Sequence, residues 1–237
     1  MKCSSGVGFD PLVQGKRLTF EVFGLHQGVL SIVDRQTGTI WTHLDGRALR
    51  GPLHEERMTM VPIPQMTWAQ WLAQHPATLV LSPDTPFRNR YRPVTIGVFN
   101  QSEALFGDAR LPANALVVGV EVDGRFRAYP VEQLPLASGI VNDQMGAQPI
   151  LVFYDPSART GLAFSRLVDG QVLEFYNAYP EGFQLRDRQT DSLWDLTGHA
   201  VAGPLAGASL SFVPSFISEW YGWSGYHPQT TLYQALS

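Results

Sequence analysis

The chain has 237 residues, 44% of them apolar and 16% charged, the balance of an ordinary globular protein with enough length for one large or two small domains. Its net charge of -4 comes with scattered Lys and Arg residues and no basic stripe, which excludes a nucleic-acid backbone as the expected partner. No run approaches the roughly 18–20 consecutive apolar residues that a membrane-spanning helix needs, so no transmembrane segment is expected.

Taken in chain order, most segments read as short strands rich in Val, Ile, Phe and Tyr between Gly, Pro and Asp punctuation. Arg17 to Val22, Val29 to Val33 and Met58 to Val61 come first. A short helix follows at Thr67 to Gln74, with Thr67 as N-cap and Pro76 as stop. Residues 82–93, with three prolines and three arginines, read as a linker. Leu116 to Val122 and Arg125 to Tyr129 flank Asp123-Gly124, a hairpin signal, and Val131 to Leu134 reads as a helical turn. Ile140 to Asp143, Pro149 to Tyr154, Gly161 to Leu167, Val172 to Tyr176, Phe183 to Asp187 and Ser209 to Val213 are further strands. A last helix is expected at Ser218 to Trp223, capped by Ser218 and stopped by Pro228. The fold class is mainly β, or α+β with minor helix.

The chain also repeats itself. Asp34-Arg35-Gln36-Thr37 and Trp41 recur 153 residues later as Asp187-Arg188-Gln189-Thr190 and Trp194. Gly51-Pro52-Leu53 recurs as Gly203-Pro204-Leu205 at an offset of 152. Trp68, Trp71, His75-Pro76 and Thr78 recur as Trp220, Trp223, His227-Pro228 and Thr230 without slip. Two pseudo-symmetric tandem units follow: residues 1–82 as the back half of a first unit, and 83–237 as a complete second one. Residues from about Pro83 to Tyr154 have no counterpart ahead of Cys3, so a complete first unit would begin about 70 residues before Met1 on the repeat arithmetic. An incomplete unit should leave apolar surface and strand edges uncovered, and a chain that is either poorly soluble or a homo-oligomer burying that edge is expected.

The positions held in both units, Asp34, Arg35, Trp41, Trp68, Trp71 and His75 with Asp187, Arg188, Trp194, Trp220, Trp223 and His227, read as elements of the fold. Asp-Arg ahead of Thr and Trp suits a satisfied turn with a strand-end ion pair, and a His after a Trp-bearing helix suits a ring hydrogen bond to a helix C-terminal carbonyl while the tryptophans pack. His26, His43, His54 and His199 do not cluster with acids at metal-ligand spacing, and His54-Glu55-Glu56 lacks the second His of a zincin helix. No P-loop, Gly-x-Gly-x-x-Gly or Gly-x-Ser-x-Gly is present, so no cofactor-binding or catalytic residue is assigned. Asp143 and Asp155 could form a carboxylate pair, although Tyr-Asp-Pro at Asp155 is the ordinary context of a turn. The start of the chain has no signal-peptide layout, so it reads as cytoplasmic as written, and as exported if the natural start lies upstream.

One block of residues resembles the bacterial domain-of-unknown-function family numbered 3179. It runs Val118-Gly119-Val120-Glu121, Asp123-Gly124, Arg127-Ala128-Tyr129-Pro130, Ile140-Val141-Asn142-Asp143, Phe164 and Arg166, then Asp-Arg-x-Thr, Trp, Gly-x-Ala and Gly-Pro-Leu. The resemblance implies two tandem copies, the first with a His-Glu-Ile-Val-Asn-Asp stretch and a Cys-Pro-Leu-Cys pair. Here Ser138-Gly139 and Asp155…Ala158 occupy those positions in the second copy, and Cys3 matches the second cysteine of the first. Cys3 is thus the one metal-ligand candidate, for copper or zinc or for thiol redox chemistry, and only with an upstream partner. The favoured reading is an uncharacterised, non-enzymatic binding or structural module. The alternative is a metal-binding or thiol-redox protein completed upstream of Met1, and a carboxylate hydrolase through Asp143 and Asp155 ranks third.

Overall fold

A computed structural model describes residues 6–26, 29–90, 108–134, 139–179 and 182–234. The fold is mainly β, built from many small sheets with two short helices. Cys3, Ser138 and residues 91–107, which include the end of the expected linker, lie outside the described residues; within residues 82–90 the only regular element is a single 3-10 turn at Arg88–Arg90.

In the first unit, β1 (Gly8–Phe9) pairs with β8 (Met60–Val61), and β2 (Leu12–Val13) forms a hairpin with β3 (Lys16–Arg17). A four-stranded antiparallel sheet follows in sequence order: β4 (Phe20–His26), β5 (Val29–Asp34), β6 (Ile40–Thr42) and β7 (Ala48–Arg50). Helix α1 (Trp68–Gln74) closes the unit. Its N-cap is Thr67, as expected: the Thr67 hydroxyl accepts from the Gln70 N–H, and the Gln70 side chain accepts from the Thr67 N–H.

The second unit begins with the hairpin of β9 (Leu116–Val122) and β10 (Arg125–Pro130). Asp123 and Gly124, both at positive φ, form the two-residue turn that the strand twist favours. Next come β11 (Ile140–Met145), β12 (Gln148–Asp155) and β13 (Thr160–Ser165), all antiparallel. The hairpin β14 (Leu167–Val168) and β15 (Gln171–Val172) leads into the sheet β16 (Phe175–Asn177), β17 (Leu185–Asp187), β18 (Leu193–Trp194) and β19 (Ala200–Ala202). Strand β20 (Phe212–Val213) pairs with β13, and β21 (Ser215–Glu219) with β9. Helix α2 (Trp220–Tyr226) and β22 (Thr231–Leu232), parallel to β10, complete the chain.

The segments that recur in the sequence pair alike. Gly8 lies opposite Val61 as Ala163 lies opposite Val213, and Phe20 opposite Asp34 as Phe175 opposite Asp187. The β4–β7 and β16–β19 sheets share a register shift at the same place, between Ile40 and Trp41 and between Leu193 and Trp194, and β4–β7 has a second one between Val22 and Gly24. Gly51 and Gly203, from the repeated Gly-Pro-Leu, adopt φ of 125° and 95°, and a Cβ on either would overlap the backbone of Thr39 or Ser192.

Two sequence expectations need correction. Arg17 to Val22 and Val172 to Tyr176 are not continuous strands. Leu18 and Leu173 drop into the core at a bend between two sheets, and their N–H groups donate to Pro11 and Arg166 carbonyls. The last helix starts at Trp220 instead of Ser218: residues 215–219 pair along β9, and the Ser218 hydroxyl donates to the Glu219 carbonyl instead of capping the helix.

Among the described residues the buried apolar side chains gather in four clusters. One lies within the first unit around Trp41, and two within the second around Val152 and Phe164. The fourth joins the units, with Val29 and Leu44 packed against Val117, Ala128, Phe216, Trp220 and Trp223.

Candidate functional site

The repeated polar positions are held by the backbone around them. Asp34 is buried, and its carboxylate accepts from the Thr37 N–H and hydroxyl, the Thr39 N–H and the Trp41 indole at 3.0 Å. Burial works to raise the Asp34 carboxyl, but the hydrogen bonds from Trp41, Thr37 and Thr39 outweigh it and hold the group below its usual value. Asp187 accepts from the Thr190 N–H and hydroxyl and the Trp194 indole at 3.0 Å. The neighbouring arginines do not pair with these aspartates. Arg35 reaches Glu21 of β4 at 2.7 Å and Arg188 reaches Glu174, just ahead of β16, at 3.3 Å, and all four are exposed. The aspartate is thus the turn's anchor and the arginine a surface tie.

His75 and His227 end their helices through the backbone and not, as expected, through the ring: each N–H donates at 2.8 Å to the carbonyl of Trp71 or Trp223, and neither ring bonds a helix carbonyl among the described residues. The two indoles donate to Thr78 (2.8 Å) and Thr230 (2.9 Å). Trp68 and Trp71 are nonetheless 53% and 41% exposed, whereas Trp220 and Trp223 are 0% and 1% exposed.

The polar residues of the β9–β13 block are equally committed. Asn142 donates to the Phe175 carbonyl and accepts the Phe175 N–H, both at 2.8 Å, and so fastens β11 to β16. Arg166 donates to the carbonyls of Ile150, Leu173 and Asp143; desolvation lowers its pKa from the usual value. Asp143 takes Arg127 and the Tyr129 hydroxyl on one oxygen, each at 2.7 Å. Desolvation first, then the bond to Asp143, drives the Tyr129 hydroxyl far above the usual tyrosine range. Asp155 is buried at the β12–β13 turn, accepting from the Ser157 N–H and hydroxyl and from Gln70 of α1.

Asp143 and Asp155 are not a catalytic pair. Asp143 lies opposite Ile150, five residues along β12 from Asp155, which separates them by about 17 Å. Cys3 is outside the described residues, and among those described no three His, Cys, Asp or Glu side chains come together at metal-binding distance. No described helix is long and apolar enough to cross a membrane.

Further bonds hold the two units against each other. Arg57 and Glu121 pair through both guanidinium ends, one at 2.7 Å, and Tyr226 donates to Asp45 at 3.2 Å. The Gln65 N–H donates to the Thr160 hydroxyl at 2.9 Å. These partners are single exposed-looking residues in the sequence, and no spacing rule links positions 57 and 121. The sequence likewise gives no sign of a cleft of about 440 Å³ between the β9–β10 turn, the β11–β12 turn and the loop after α2. It is bordered by Arg125, Met145 and Gly146, none of them repeated, and by His227, which was read only as a cap.

The sequence that forms these turn anchors and carbonyl clamps is recognised by one family along nearly the whole chain. Residues 2–230 match the family model described as protein of unknown function (DUF3179), and the chain belongs to that family. Neither a curated protein nor a solved structure matches it.

Proposed function

We propose that the protein is a non-enzymatic binding or structural module of two tandem units, residues 1–82 and 83–237, whose first unit associates with a second copy of the chain. One observation carries this reading. In the second unit β9–β12 covers three surfaces: the outer edge of β13, the edge of β16 through Asn142, and the Trp220–Trp223 face of α2. The matching surfaces of the first unit are β1, β4 and α1. Among the described residues no strand lies on the outer edge of β1 or β4. Val22, Phe23 and Leu25 on β4, Ile63, and Trp68 and Trp71 on α1 are all exposed. So many large apolar groups clustered on one unit favour association over solvation. An edge strand facing its own copy pairs antiparallel about a twofold axis, the commonest form of self-association.

Light scattering on the purified chain tests this. A particle of about 53 kDa, twice the 26.3 kDa of one chain, is expected at micromolar concentration. Phe23→Ser with Leu25→Ser should return it to a monomer with an unchanged circular dichroism spectrum. A monomeric wild-type chain would overturn the proposal.

A further inference from the structure

The cleft beside His227 carries an inference of its own, independent of how the first unit is covered. His227 is only 7% exposed. Its ring stacks on Phe126 at 3.8 Å and 19°, with Trp223 and Tyr226 at 4.5 and 4.8 Å. The backbone N–H serves the helix end, but the ring nitrogens have no hydrogen-bond partner among the described residues. No fully enclosed side-chain nitrogen or oxygen goes unpartnered there either, so the polar edge of the imidazole opens into the cleft. Desolvation pushes the His227 pKa down to about 4, which leaves the ring neutral near pH 7, with one N–H to donate and one lone pair to accept.

The charge at the rim is unbalanced. Arg127 is neutralised by Asp143 at 2.7 Å. Arg125 is exposed and has no ion-pair partner among the described residues. Its guanidinium lies against Gly146, where a Cβ would overlap it, so the tight β11–β12 turn seats the arginine at the cleft. Phe126 and Met145 supply apolar wall. Among the described residues, an unpaired cation at the mouth, a neutral donor–acceptor ring further in and apolar sides make a recognisable pattern: it suits a ligand with one negative end, an apolar body and a polar far atom.

We propose that this cleft binds a small aromatic carboxylate, with Arg125 pairing the carboxylate, Phe126 and Met145 flanking the ring, and His227 bonding a hydroxyl at its far end. The volume is within the range of small-molecule sites, and one uncompensated arginine matches one carboxylate.

The test is titration calorimetry with 4-hydroxybenzoate, alongside carbon-resolved NMR of the His227 imidazole. Saturable binding at millimolar concentration or tighter is expected, with the His227 ring signals moving along the same isotherm. Arg125→Gln should weaken binding at least 10-fold without changing the melting temperature, because Arg125 holds no other side chain. The uncharged 4-hydroxybenzyl alcohol should bind at least 10-fold more weakly than the acid. Absence of saturation, equal binding by Arg125→Gln, or equal binding of the alcohol would each overturn the assignment.

Discussion

Helices α1 and α2 are the same object placed in two settings. Both are seven residues long, both carry Trp-x-x-Trp, and both close on a histidine whose N–H returns to the second tryptophan. Both indoles find a threonine seven residues on. Yet Trp71 is 41% exposed and Trp223 is 1% exposed. The difference comes from residues far off in sequence: the Trp223 ring lies over Gly119 of β9, where a Cβ would overlap it. Local bonds therefore fold the motif, and long-range neighbours alone decide whether it becomes core.

The sharpest way to break that comparison is to truncate both second tryptophans. Trp223→Ala should cost about 3–5 kcal/mol, the range for a large aromatic removed from a packed core. Trp71→Ala should cost under about 1 kcal/mol in the dissociated chain, being half in water already. Equal costs in urea unfolding would mean that exposure does not distinguish the helices. Gly119→Ala probes the same contact from the other side. It should destabilise by about 1–3 kcal/mol through overpacking, and the loss should vanish when Trp223 is also Ala.

The turn aspartates sharpen the comparison instead, because there the two units agree. Asp34→Asn and Asp187→Asn should each lose about 1.5–3 kcal/mol, since an amide cannot accept all the bonds the carboxylate takes. Asp34 has a folded pKa below its unfolded value. Its contribution is therefore fully present above about pH 4, the unfolded value, and is lost as pH falls through the folded pKa. Wild type should lose stability on acidification in that window, and Asp34→Asn should lose less over the same range. An effect smaller than that of the aspartates is expected at the Arg57–Glu121 tie. A double-mutant cycle to Ala should give a coupling of about 1 kcal/mol that shrinks in high salt.

Much of the fold was legible because strand, turn and cap are local. Asp123-Gly124 announced its hairpin, Thr67 its helix, and the repeated Asp, Thr and Trp their turn. The helix start at Ser218 was misplaced because β9 recruits residues 215–219 into a sheet, and no local signal reports that competition. The carboxylate pair failed for a geometric reason: residues close in a motif list stood at opposite ends of one β-hairpin. The His227 cleft was hidden because its wall comes from three separate loops, and because the histidine's backbone role concealed what its ring does.

The Asn142 amide has a wider consequence. It gives Phe175 one donor and one acceptor, all that a neighbouring strand would give that residue, yet it does so from a single side chain. A sheet attached this way need not share a continuous ladder with its neighbour. Its loops can gain or lose a residue without shifting the register of β11. The offset between equivalent positions moves among 155, 153 and 152 along the chain, first across the β4–β5 hairpin and then between β6 and β7. Point attachment makes the architecture tolerant of length: the small sheets behave like tiles pinned at one corner, each free to change its outline while its pin stays in place.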